Sequence, residues 1–120
     1  MKIGISISGL VKYCHTASAN AGWWDNTDKG DPTVQASKIA LIHSEISEAL
    51  EGIRKGHRDS HLPARLAVEV ELADALIRIF DLAGAMNLDL ENAVFEKLEY
   101  NRTRADHSRE SRALAGGKRI

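Results

Sequence analysis

Read as a helix, the stretch from Leu66 to Ala83 is apolar nearly all the way round, and this constrains the chain more than any other feature. Leu66, Val68, Val70, Leu72, Ala73, Ala75, Leu76, Ile77, Ile79, Phe80, Leu82 and Ala83 wrap most of its circumference. A helix with such a coat belongs in a core or against a partner. The main gap in the coat is one narrow stripe: Glu71, Asp74, Arg78 and Asp81. Carboxylates on a largely buried helix need compensation, because an unpaired buried charge is very costly. Arg78 can compensate one or two of them. A hard cation can hold the others, since Mg²⁺ prefers carboxylate oxygens and water.

The rest of the chain reads as helices joined by short loops. Periodicity and end signals predict helices over about 9–20, 33–55, 63–85 and 90–104. Ser8 is the expected N-cap of the first, and Gly56 ends the second. Pro32 and Pro63 each stand just before a periodic segment, where proline is tolerated. Ile3, Ile5 and Ile7 alternate like a short strand but have no partner strand, so they read as the lead-in to the first helix. The expected fold class is all-α, a four-helix bundle over 1–105, with a basic, flexible tail over 106–120. In so short a chain, pairing with a second copy is the simplest cover for the third helix.

Hydrophobic residues make up 43% and charged residues 28%, the balance of a globular domain. A formal net charge of −1 gives no overall field toward nucleic acid or anionic membrane, and neither partner is expected. The start of the chain shows no signal-peptide pattern, and no apolar run is long enough to span a bilayer, so a cytoplasmic protein is expected. Cys14 is the one cysteine; its small and apolar neighbours predict a buried structural thiol. His15, His43, His57 and His61 show no zinc-ligand spacing.

On the second helix Glu45 and Glu48 stand three apart at the edge of the apolar face formed by Ile39, Ile42, Ile46, Ala49, Leu50 and Ile53, and Lys38 shares that edge. Glu45-x-x-Glu48 is thus followed, after a 22-residue spacer, by Glu71-x-x-Asp74. The bare spacing is common here, since Asp25/Asp28 and Glu96/Glu99 share it; the apolar context of the two long helices sets these pairs apart. By themselves the residues allow a metal site or a charged bundle surface with Glu–Arg pairs. On the fourth helix Leu90, Ala93 and Val94 begin a face that continues as Lys97, Asn101 and Arg104. Such a face can bind phosphate oxygens, or it can be a helix end that has left the core. His107 can donate to a phosphate or simply be solvated. Trp23 and Trp24 adjoin in a loop rich in turn formers; one can stack on a base while the other closes the core.

With these residues in hand, the sequence resembles the MazG-type, all-α nucleoside triphosphate pyrophosphohydrolases. The likeness runs from Lys38-Ile-Ala-Leu-Ile-His-Ser-Glu-Ile-Ser-Glu48, through Glu69-Val-Glu-Leu-Ala-Asp74, to Glu96-Lys-Leu-Glu-Tyr-Asn101 with Arg104. The resemblance implies a helical protomer that forms a homodimer or a dimer of dimers. It implies Mg²⁺, or Mn²⁺, on Glu45, Glu48, Glu71 and Asp74, with Lys97, Asn101 and Arg104 approaching the phosphates. It also implies the reaction NTP + H₂O → NMP + pyrophosphate, clearing non-standard or surplus nucleotides, with Glu45 or Glu48 orienting the water. Ser44 stands where some relatives carry a further glutamate. Lys38, Trp23 and Trp24 complete the candidate substrate contacts. Two other readings remain: a non-catalytic helical interaction module, and a carboxylate di-iron bundle, which needs Glu-x-x-His pairs where this chain has Glu48 and Asp74.

Overall fold

A computed structural model describes residues 6–104 and 109–118, and all regular structure among them is helical: α1 Ile7–Asn20, α2 Pro32–Lys55, α3 Ala67–Ala85, α4 Leu90–Thr103 and α5 Arg109–Ala113. No described residue belongs to a strand; Arg58 and Leu66 form an isolated bridge. No described helix is long and apolar enough to cross a membrane. The chain divides into two compact units, Met1–Leu88 and Asp89–Ile120.

In the first unit, α1 and α2 both pack on α3. Gly52, near the end of α2, lies against Ala67 and Val68 at the start of α3, while Glu45, earlier on α2, meets Arg78, later on α3. The two helices therefore run in opposite directions and expose their acidic positions to each other. A cluster of Trp24, Leu82 and Ala85, flanked by Ala19, Val34, Ile42 and Met86, closes one end. The second unit holds α4, capped by the Asp89 side chain accepting from the Asn92 N–H, and the short α5.

Several element ends differ from expectation. The N-cap of α1 is Ser6 rather than Ser8, because the Ser6 hydroxyl accepts from the Gly9 N–H at 2.9 Å. Helix α2 begins at Pro32 because the Asp31 carboxylate caps the Thr33 N–H. Pro63 does not open α3. Asp59 ties the backbone N–H groups of His61 and Leu62, and Glu69 accepts from the Leu66 N–H, so the helix starts at Ala67. Helix α4 ends at Thr103, with Arg104 as its extended C-cap. The region expected as a tail contains α5. Ile3, Ile5, Asp106 and His107 lie outside the described residues.

The expected burial of α3 is not achieved within one chain: Leu72, Leu76 and Ile77 are about half exposed, as are Ile46 and Leu50 on α2. The buried apolar residues are mostly alanines, with Trp24 and Leu82.

One close approach sets the position of α1. A Cβ on Gly84 would lie 2.5 Å from the His15 Cβ and 3.3 Å from the Val11 carbonyl oxygen. Gly84→Ala is therefore expected to push α1 off α3 and to cost about 1–3 kcal/mol, as overpacking does. Urea unfolding of both proteins measures this; an unchanged midpoint would mean that the helices yield without penalty.

Candidate functional site

The facing edges of α2 and α3 bring three of the four expected carboxylates together. One oxygen each from Glu45, Glu71 and Asp74 lies within 4.8 Å of the others, all three residues being partly buried. Glu48 is not in this triplet, yet its charge reaches Glu71. The cluster carries the signature of crowded anions. Burial first, then the hydrogen bond and charge of Glu45, then the charges of Asp74 and Glu48, push the Glu71 carboxyl up to about 7. Burial and the Glu45 charge also raise Asp74, with Arg78 opposing. Arg78 Nε donates to Glu45 Oε1 at 2.9 Å, supplying one positive charge to the group. An all-oxygen donor set with surplus negative charge fits a hard divalent cation better than a soft one.

A cavity of about 650 Å³ opens beside the cluster, within the first unit. Its walls include Glu45, Asp74 and Arg78 at the acidic end, Lys38 on α2, Tyr13 and Cys14 on α1, and Trp23, Trp24 and Asp81. Lys38 Nζ lies 4.4 Å from the Trp24 ring centroid, a cation–π contact, and Lys29 Nζ lies 5.8 Å from it. Trp24 is buried at 6% exposure and its Nε1 donates to Asp81, so both its edge and its face are engaged. Trp23 is 71% exposed and is the tryptophan available for stacking. Burial raises the Cys14 thiol above its ordinary range, and the Asp81 charge adds to this, which makes it a poor nucleophile.

Lys97, Asn101 and Arg104 belong to the second unit. Lys97 Nζ and Arg104 Cζ lie 4.6 and 5.7 Å from the Tyr100 ring, and the buried Asn101 Oδ1 has no hydrogen-bond partner among the described residues. Lys38, Trp23, Trp24 and the acidic triplet are thus gathered in one unit, and the α4 residues are in the other.

Sequence reasoning missed the polar wall of the cavity. Asp81 was legible as part of the acidic stripe, but its partner His15, 66 residues away, carried no local signal. The fold and site together define a class: an all-helical domain with an acidic cluster at the mouth of an aromatic-lined cavity. Set against known proteins, the chain matches no family model, no curated protein and no solved structure.

Proposed function

We propose that this chain is a MazG-like, Mg²⁺-dependent nucleoside triphosphate pyrophosphohydrolase, acting in the cytoplasm as a homodimer or dimer of dimers. The observation that carries the reading is the convergence of Glu45, Glu71 and Asp74 at the edge of a cavity of nucleoside size lined by Trp23 and Lys38. Glu45, Glu48, Glu71 and Asp74 would hold the Mg²⁺, or Mn²⁺. When bound, the metal supplies charge neutralisation and a polarised water. The chain's own residues do the rest. Lys38 and Arg78 line the cavity with Glu45 and Asp74 and would bind phosphate oxygens; Lys97, Asn101 and Arg104 of the second unit are proposed as phosphate ligands in their own right. Trp23 offers a ring face for the base. Clearing non-standard or surplus nucleotides is the proposed role.

Products test the reading. With Mg²⁺, at least one nucleoside triphosphate from a panel of ribo-, deoxy- and damaged forms should yield monophosphate and pyrophosphate. Reaction in ¹⁸O-water should label one product only, the monophosphate for attack at the α-phosphorus. Formation of diphosphate and orthophosphate, or no turnover of any triphosphate, would reject it.

A further inference from the structure

At the end of the cavity built by α1, the tryptophan loop and the latter part of α3, Asp81 is held in an unusual way. His15 Nδ1 and Trp24 Nε1 each lie 2.9 Å from the same oxygen, Oδ1. His15 Nε2 lies 2.8 Å from Lys29 Nζ. An ammonium can only donate, so Nε2 accepts from Lys29 and Nδ1 carries the hydrogen given to Asp81. Lys29 thereby sets which ring nitrogen of His15 faces Asp81 as a donor. His15 and Trp24 stand edge to face at 73°, which locks the two donors in place. The His15 and Asp81 side chains are only 16% and 18% exposed.

Two donors on Oδ1 leave Oδ2 without a partner among the described residues, and it is not among their sealed, unsatisfied atoms. Asp81 lines the cavity. Asp81 is thus a tethered carboxylate in the cavity lining with one oxygen left over, and a carboxylate accepts but does not donate.

We infer that Asp81 reads the base of the nucleotide, selecting bases that carry an exocyclic amino group over those with an imide edge. The inference rests on the proposed nucleotide function. An amino group offers Oδ2 a charge-assisted hydrogen bond. The imide N–H of uracil or thymine is flanked by two carbonyl oxygens, which the carboxylate repels. A ligand that covers this acceptor and leaves it unpaired is penalised as well. Specificity then comes from a repulsive element as well as an attractive one.

Pyrimidines isolate the contact, because cytosine and uracil differ mainly at this edge. The parent should favour CTP over UTP, and dCTP over dUTP, by about 10-fold or more in kcat/KM, and CMP over UMP by a similar factor in Kd measured calorimetrically with Mg²⁺. The triphosphate of 2-pyrimidinone, which lacks the amino group but also the 4-carbonyl, should fall below CTP and stay above UTP. In Asp81→Asn the amide oxygen can keep accepting from His15 and Trp24 while its N–H group faces the cavity. That variant should shift the cytosine-to-uracil ratio at least about tenfold toward uracil. If this variant does not fold, the comparison of the three bases on the parent still decides. Equal treatment of cytosine, uracil and 2-pyrimidinone by an active parent overturns the inference and leaves the hydrolase reading intact. An unchanged ratio in a folded Asp81→Asn variant also overturns it. No hydrolysis of any triphosphate instead rejects the reading beneath it.

Discussion

Glu71→Gln should melt no lower than the parent in EDTA, should lose most of the stabilisation that Mg²⁺ plus a non-hydrolysable triphosphate gives the parent, and should turn over substrate about 100-fold more slowly or worse. The reasoning begins with repulsion. Glu45, Glu71 and Asp74 converge within 4.8 Å, and burial and neighbouring charges push Glu71 up to about 7. An isosteric amide removes one charge and keeps the shape, so the metal-free variant gains up to ~0.5–2 kcal/mol. The same change removes an oxygen donor that a hard cation requires. A surface ion pair predicts the opposite pattern: slight destabilisation, no Mg²⁺ dependence and full activity.

The raised Glu71 value fixes the sign of a pH effect. A carboxyl that holds its proton more tightly folded than unfolded lowers stability as pH rises from its ordinary 4.5 to about 7, because the folded state disfavours the charged form. Below that window the penalty is absent, and above it the penalty is complete. Metal-free parent should therefore lose melting temperature between about pH 5 and about pH 8 relative to Glu71→Gln. Cation binding displaces the same proton, so Mg²⁺ affinity should rise across the same interval. Parallel pH profiles of parent and variant would assign the melting difference to another group.

The acidic pairs were legible because helical spacing acts locally: residues three apart share a face, and an apolar coat around them predicts which face is buried. The approach of Glu45 to Glu71 and Asp74 was also readable, since these residues sit at the edge of an apolar stripe, whereas Glu48 stays outside the triplet. Element ends were less so. Ser6 and Ser8 are equally good caps by type, and only the hydrogen bond to Gly9 separates them. Pro63 looks like a first-turn proline until the Asp59 turn is seen to spend the following residues. The cavity wall was least legible. His15, Lys29 and Asp81 sit on different elements, and nothing near any of them in the chain announces the others. Gly84, whose missing Cβ allows His15 to approach, looks like an ordinary helix-weakening glycine.

The apolar faces left open by a single chain lead to the second large effect. Ile39, Ile46, Leu50 and Ile53 fall on one stripe of α2 and are 46%, 48%, 57% and 65% exposed. Leu72 and Leu76, one turn apart on α3, are 47% and 50% exposed. Scattered apolar residues need no explanation, but stripes along two long helices mark a contact surface. A second copy is the proposed cover, because a two-fold contact lets the same stripe serve both sides. Leu50→Arg tests this sharply. On a free surface the change should stay within about ±0.5 kcal/mol. At the centre of a dimer it buries an unpaired charge and removes an apolar anchor, so dissociation should strengthen by about 30-fold or more. The parent should then scatter light as a particle of at least twice 13.2 kDa at micromolar concentration, and its melting temperature should rise with concentration. The variant should scatter as a single chain and melt lower, with no dependence on concentration. A parent of 13.2 kDa, or a variant that assembles as the parent does, would place the α2 stripe in solvent.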